Sequence, residues 1–243
     1  MQCNIPQRPL PRRLCSMMSS PWAVVLVAGY FALTVSGFIK EFPESEIEAA
    51  FKKHKIVPDL IQEAPKKFLY VKYRSPKSVY YVRLGTDLHP LQVDEEPEDI
   101  EWEPEPGAYY TLLHLGPNAN GYQKEWNEAN FLHYAKVNIL GNDWKHSGHL
   151  LAEYVGSRPF PEFGAPYYVY LLYKQPKLID FKETHDVDDY VKYDWDLKAF
   201  LNKHGIKDLV AGNFYVSRSD WTKLKTLLTV EPGDWDTITP KML

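Results

Sequence analysis

The stretch EYVGSRPFPEFGAPYYVYLLYKQP, residues 153–176, decides the fold that the sequence predicts. Its second half, YYVYLLYK at 167–174, alternates aromatic and aliphatic side chains and is the most β-prone segment of the chain. Its first half is rich in small residues and proline, which predicts a stiff loop directly before that strand. We interpret this loop as part of the wall of a ligand pocket.

Further strands are predicted on both sides of this segment, separated by turn residues. They are KKFLYVKYRS (66–75), SVYYVRLGTDL (78–88), AYYTLLHL (108–115) and ANFLHYAKVNIL (129–140). Helical patterns occur only near the ends. One begins at Ser45, which we predict to be its N-cap with Glu48 completing a capping box. A second ends at Gly205, and a third would be capped by Ser219. The pattern predicts an all-β protein, a β-sandwich with peripheral helices.

The first 37 residues predict a secretory signal peptide. Arg8, Arg12 and Arg13 precede an apolar run over residues 22–35, which is shorter than the roughly 20 residues of a membrane span. Small residues at positions 35 and 37 favour cleavage before Phe38. The alternative is a signal anchor that stays attached, and the true start could also be Met17 or Met18. We expect a domain at 38–230 and a flexible C-terminal tail at 231–243.

Charge and cysteine content restrict the function of the cleaved chain. Cleavage leaves 25 basic against 32 acidic residues, a net charge of −7, which disfavours binding to nucleic acid. Both cysteines, Cys3 and Cys15, lie in the predicted signal peptide, so no disulfide is expected in a secreted chain. A domain of this size buries enough surface to fold without one.

Several segments, in order, resemble the phosphatidylethanolamine-binding protein (PEBP) family, which includes the Raf kinase inhibitor proteins. They are IEWEPEPGAYYTLLHLGPNAN, VNILGND, SGHLLAEYVGSRPFP, YYVYLLYKQP and DLVAGNFYVSRSDW. The helix followed by KKFLYVKY, behind a signal peptide, is most similar to the secreted insect odorant-binding-like members. The resemblance implies two antiparallel sheets packed as a Greek-key sandwich, with a small anion pocket at one end.

In the family that pocket combines an Asp-Pro-Asp-x-Pro loop, a strand histidine, a Gly-Pro loop, a second histidine and tyrosines. By resemblance, Tyr168 and Tyr215 are kept here, as are Pro117 and Pro159. The strand histidine matches His133 only after a shift of one residue, so its side chain could point into the pocket or away from it.

Other pocket positions differ from the family pattern. Gly116 and Asn118 replace the two aspartates, Asn120 replaces the second proline, and Pro166 replaces the second histidine. Arg158 replaces the glycine of the Gly-Pro loop. Its guanidinium would either bind an anion or fill the pocket itself.

Other polar groupings are interpreted as structural. The acidic segments DEEPEDIEWEPEPG and THDVDDYVKYDWD suggest calcium, but their spacing fits no EF-hand and solvated connections are favoured. His146 and His149 lie in a predicted turn and form no metal set. Ser157 has no nucleophile-elbow motif, so we expect it to hydrogen-bond locally. We therefore predict no metal, no cofactor and no catalysis.

These observations lead to one hypothesis and two alternatives. The hypothesis is a secreted, monomeric, non-catalytic protein that holds a small anionic or amphipathic ligand, such as a phospholipid headgroup or an odorant-like molecule. The predicted lining is Gly116, Pro117, Asn118, His133, Arg158, Pro159, Tyr168 and Tyr215. The first alternative is a protein-interaction module that inhibits a protease or kinase, with a degenerate pocket. An enzyme is the third and weakest hypothesis.

Overall fold

The computed structural model describes residues 42–75, 78–117, 130–159, 164–180 and 195–219. The predicted signal peptide, Asn118, Asn120, the helix expected after Ser219 and the tail lie outside these residues. Within the described ranges no helix is both long enough and apolar enough to cross a membrane.

Two sheets carry the fold. The larger has the strand order β1-β10-β9-β6-β7-β8, with β4 also paired to β10, and the smaller has the order β3-β2-β5. The strands are β1 Lys67–Phe68, β2 Tyr70–Arg74, β3 Val79–Tyr81, β4 Thr86–Asp87, β5 Asp99–Glu101, β6 Tyr109–Pro117, β7 Asn130–Leu140, β8 His149–Ala152, β9 Tyr167–Lys174 and β10 Asp208–Val216. Antiparallel pairing predominates, but the short strands β1 and β4 both pair with β10 in parallel.

Among the described residues, three helices lie outside the sheets: α1 Glu44–Lys53, α2 Ile56–Asp59 and α3 Leu197–His204. A short 3-10 turn, Pro90–Gln92, follows β4. The predicted C-cap of α3 is confirmed, because Gly205 adopts the left-handed conformation with φ of 66°. The all-β class with peripheral helices is likewise confirmed.

The prediction that Ser45 caps α1 is wrong. The helix starts one residue earlier, at Glu44, and its N-cap is Pro43, with no side-chain capping bond. Proline fixes an extended backbone before the helix, and Glu44 and Glu46 place negative charge on its first turn. These features start the helix without the hydroxyl cap.

Both faces of the large sheet are covered. On β9 the alternate residues Val169 and Leu171 pack into the cluster that contains α1, while Tyr168 and Tyr170 pack into the cluster shared with the small sheet. The alternation follows from the two-residue period of a strand. Every residue from Tyr168 to Tyr173 is therefore buried, which explains the unbroken apolar character of β9.

A buried amide joins the two sheets. Asn213 of β10 donates from Nδ2 to the carbonyls of Leu69 and Val82, at 2.8 and 2.9 Å. Its Oδ1 accepts the backbone N–H of Leu84 at 3.0 Å and that of Phe214 at 2.8 Å. Leu69 directly precedes β2 and Val82 directly follows β3. One side chain thus ties the start of β2 and the end of β3, which lie side by side at one end of the small sheet, to the large sheet.

Replacing Asn213 with alanine should destabilise the fold by about 3 kcal/mol, because two carbonyls and two N–H groups would lose this partner in a buried site. Urea unfolding monitored by circular dichroism measures the change. Asn202→Ala, at an exposed position of α3, is the matched control and should change the free energy of unfolding by less than about 0.5 kcal/mol. Equal stability of the two variants would show that Asn213 does not join the sheets.

Candidate functional site

A group of histidine and tyrosine rings lies between the sheets where β6, β7, β9 and β10 run side by side. We call it the His–Tyr group and define it by seven residues: Tyr73, His114, His133, Tyr154, Tyr168, Tyr170 and Tyr215. His114 and His133 come from neighbouring strands, and their ring centroids are 5.0 Å apart. Tyr168 lies 5.0 Å from His133 and 5.2 Å from Tyr215, also between centroids.

Three hydroxyls of the group form a directional chain. Tyr154 donates to the carbonyl of Val93 at 2.7 Å, and its hydroxyl lies 3.0 Å from that of Tyr73. Tyr73 is also hydrogen-bonded to Tyr170. A hydroxyl carries one proton, so Tyr73 donates to Tyr154 and Tyr170 donates to Tyr73. All three protons are therefore committed within this chain.

His133 is held as one tautomer. Its Nδ1 lies 2.7 Å from the carbonyl oxygen of Val155, which can only accept, so Nδ1 carries the proton. Burial lowers the pKa of His133 to about 4, against a smaller opposing effect of the Val155 carbonyl. The ring is therefore neutral at pH 7. Its Nε2 is buried and has no hydrogen-bond partner, so it presents an unused lone pair.

His114 is buried completely and neither of its ring nitrogens has a hydrogen-bond partner. It stacks on Tyr170 with centroids 4.1 Å apart and planes 2° from parallel. Tyr154 lies parallel to it at 5.8 Å. Burial, and to a lesser degree the charge of His133, lower the pKa of His114 well below its ordinary value. The neutral ring has one donor and one acceptor.

Tyr215 is the third residue of the His–Tyr group that has a buried polar atom without a hydrogen-bond partner. Its hydroxyl has no partner, although the hydroxyls of Ser157, Tyr73 and Tyr154 lie close enough to lower its pKa slightly. Burial dominates and raises the pKa of Tyr215, so the phenol stays protonated. Burial has the same effect on the pKa of Tyr168. The site is neutral at pH 7.

The loop expected to form the wall lies against the site. The backbone N–H of Val155 donates to the carbonyl of His133 at 2.8 Å, and Ser157 donates to Ser217 at 3.0 Å. Gly156 lies directly against the backbone of Val93 and Asp94, which follow the 3-10 turn. A Cβ atom added at position 156 would lie 2.8 Å from Asp94 Cα and 2.9 Å from the carbonyl oxygen of Val93. Only glycine fits this approach.

Arg158 points away from the His–Tyr group. Its Nη2 lies 3.1 Å from Asp94 Oδ1, and the side chain is 75% exposed. The guanidinium thus neither fills the site nor offers it a positive charge. Pro159, the next residue, is buried, and its carbonyl accepts a hydrogen bond from Ser219.

The predicted lining residues are therefore only partly brought together. His133, Tyr168 and Tyr215 converge, with His133 on the same side as Tyr168. Gly116 pairs with Phe131 at the end of β6, and Pro117 pairs with Asn130. Asn118 lies outside the described residues.

No role in the pocket was predicted from the sequence for His114, Tyr154 or Tyr170. The alternation of side chains along a strand could have indicated two of them, because residues two apart lie on the same face. His114 shares a strand face with Leu112 and Gly116, and Tyr170 shares one with Tyr168. The histidines of HSGH lie elsewhere, where His146 contacts the Asp143 carboxylate at 2.9 Å.

Fold and site together define a two-sheet β-protein with a neutral, buried histidine–tyrosine site. No family model matches the chain. Over 211 residues it is 26% identical to "Putative odorant-binding protein A5" of Drosophila melanogaster, covering 84% of this chain and 93% of the relative. It is 31% identical over 170 residues to the "26 kDa secreted antigen" of Toxocara canis, covering 68% of this chain and 61% of the antigen.

Solved structures show the same fold. One is a carboxypeptidase Y inhibitor complexed with its cognate proteinase, with a TM-score of 0.59, 23% identity, and coverage of 75% of this chain and 98% of that one. Another is the phosphatidylethanolamine-binding protein of Plasmodium vivax, with a TM-score of 0.50, 15% identity, and coverage of 70% and 96%. The chain therefore has the PEBP fold, in agreement with the resemblance that its sequence shows to that family.

Gly156→Ala should destabilise the protein by about 1–3 kcal/mol, since the added methyl group meets backbone atoms that cannot rotate aside. Thermal unfolding measures the loss, and Glu153→Ala, an exposed position in the same loop, is the control. A Gly156→Ala protein as stable as the control would contradict the close approach of this loop to residues 93–94.

The buried histidines should make the fold less stable in acid. The pKa of His133 is about 4 in the folded state against 6.5 in the unfolded chain, so the unfolded state binds more protons between these values. Stability should be full above pH 6.5 and should fall as the pH drops towards 4, by up to about 3 kcal/mol from this residue. Urea unfolding at pH 7 and pH 4.5 measures the loss.

His133→Asn should reduce that acid loss without abolishing it, because the lowered pKa of His114 contributes in the same direction. His146→Asn, which changes an exposed histidine, should leave the loss unchanged. If the acid loss were the same in all three proteins, His133 would not be a buried neutral base.

Proposed function

We propose that this protein is a non-catalytic binding protein that holds a small amphipathic molecule, with the polar end of the ligand at His133, Tyr168 and Tyr215. One observation carries the proposal. The Nε2 atom of His133 and the hydroxyl of Tyr215 are buried in one cluster and have no hydrogen-bond partner. Leaving such groups unpaired costs about 1–3 kcal/mol each, and a ligand hydrogen bond would recover that cost.

The orientation of Arg158 favours a site that binds a ligand over a site that the arginine side chain itself fills. An arginine turned inward would have offered its N–H donors to the unpaired Nε2 of His133 and hydroxyl of Tyr215. Instead Arg158 pairs with Asp94 at the surface. The aromatic surroundings of His133 suit the apolar part of an amphipathic ligand, and His133 and Tyr215 suit its polar part.

The pKa shifts favour binding over catalysis. A general base works best with a pKa near the operating pH, whereas burial lowers the pKa of both His114 and His133. The proton-bearing nitrogen of His133 is committed to a backbone carbonyl, and Ser157 donates to Ser217. None of these groups has the arrangement of an activated nucleophile and its base.

We also propose that the protein is secreted and monomeric. Two relatives are named as an odorant-binding protein and a secreted antigen, in keeping with the signal peptide that the sequence predicts. A second candidate function, inhibition of a proteinase, is favoured by the likeness in fold to an inhibitor in complex with its proteinase. In that case partner binding would involve exposed loops, and changes at His133 or Tyr215 would not weaken it.

Nuclear magnetic resonance titration tests the ligand-binding proposal. Inorganic phosphate, phosphoethanolamine and benzyl alcohol are added separately to the protein, and at least one should shift the resonances of His133 and Tyr215. His133→Asn or Tyr215→Phe should weaken that binding about tenfold, because each removes a buried hydrogen bond. Tyr109→Phe, at the other end of β6, is the matched control. Three probes without effect on these resonances would refute the proposal.

A further inference from the structure

His114 has no role in the site as the sequence predicts it, yet it contributes two of the buried polar atoms that lack partners. Its ring contacts within the His–Tyr group are with His133, Tyr154, Tyr168, Tyr170 and Tyr215, none of which carries a charge at pH 7. A histidine buried in this way normally donates or accepts at least one hydrogen bond.

The neighbouring tyrosines do not satisfy His114. The protons of Tyr170, Tyr73 and Tyr154 pass along one chain that ends at the carbonyl of Val93. No donor from this chain remains for the imidazole. The acceptor and the donor of His114 are both left for a molecule other than the described side chains.

The two histidines are complementary. His133 presents only an acceptor, since its proton is held by Val155, whereas His114 presents a donor as well as an acceptor. Their ring centroids are 5.0 Å apart, so the two rings are direct neighbours. A bridging oxygen would lie about 2.8 Å, an ordinary hydrogen-bond distance, from one nitrogen of each ring. A hydroxyl oxygen in that position would donate to His133 and accept from His114.

We propose that His114 forms the floor of the binding site, and that the ligand is a neutral alcohol or phenol whose hydroxyl bridges His114 and His133. This inference rests on the proposed function and specifies its ligand class. It makes His114 a specificity-determining residue for a hydroxyl group.

A phosphate-type anion does not suit these groups. A buried anion requires a positive charge or several hydrogen-bond donors, because its removal from water costs several kcal/mol. Arg158, the cation of the loop expected to form the wall, is paired with Asp94 outside the site. The lone pair of His133 Nε2 would face the anion and repel it.

A matched pair of ligands tests the hydroxyl bridge. Benzyl alcohol and toluene differ mainly in the hydroxyl, so wild-type protein should bind the alcohol at least tenfold more tightly than toluene. His114→Phe keeps an aromatic ring on Tyr170 but has no nitrogen, and should bring the affinities for benzyl alcohol and toluene to the same value. His204→Phe, which alters a histidine of α3, is the control and should keep the preference.

A second measurement does not depend on the variant folding. In wild-type protein with 15N-labelled histidine, benzyl alcohol should shift the side-chain nitrogen resonances of both His114 and His133, whereas toluene should shift neither to a comparable extent. Equal affinity for the two compounds, or a shift of His133 alone, would overturn the inference.

The same experiments separate this inference from the proposed function. Binding of phosphoethanolamine at His133 and Tyr215, without any binding of the alcohol, would overturn the hydroxyl bridge and leave the binding function standing. Absence of binding by the alcohol, phosphate and phosphoethanolamine would reject both.

Discussion

A polar atom that is removed from water must find a partner inside the protein, and this requirement governs the region between the two sheets. Asn213 meets it in full, and by doing so ties the ends of β2 and β3 to β10. The tyrosine chain that ends at Val93 also meets it. Both nitrogens of His114 and the Nε2 atom of His133 do not meet it, because they have no hydrogen-bond partner among the described residues. The contrast separates the structural polar groups from those available to a ligand.

The fold could be predicted from the sequence to a considerable extent, because β6 and β9 carry the signal of two-sided burial and α3 carries its glycine cap. What the sequence could not supply was the start of α1. Ser45 and Glu48 have the spacing of a capping box, but the backbone fixed by Pro43 starts the helix at Glu44. The start of the helix thus depends on a competition between the capping preference of Ser45 and the backbone preference of Pro43. Each is worth about 1 kcal/mol, so their order cannot be read from the sequence.

For the site, resemblance indicated His133, Tyr168 and Tyr215, which the structure brings together. It did not indicate His114. From the sequence alone, a histidine within an apolar strand is interpreted as a core residue, and only the side chains that surround it show whether its nitrogens have partners. Nor could it orient Arg158. The side chain of an arginine is long, and the choice between the site and Asp94 depends on where residues 93–94 pass the loop, a contact between segments more than 60 residues apart.

The neutrality of the site follows from the same burial that stabilises the fold. Enclosing the imidazoles between tyrosine rings excludes water, which lowers their pKa values and keeps both rings uncharged. A charged histidine would attract anions but would weaken the packing of the sheets around it. Because the rings here are too deeply buried to hold a proton at pH 7, the binding that we propose would rely on hydrogen-bond donors and acceptors rather than on charge. A PEBP-fold site without its pair of acidic residues and without an inward cation is therefore suited to ligands that are themselves neutral.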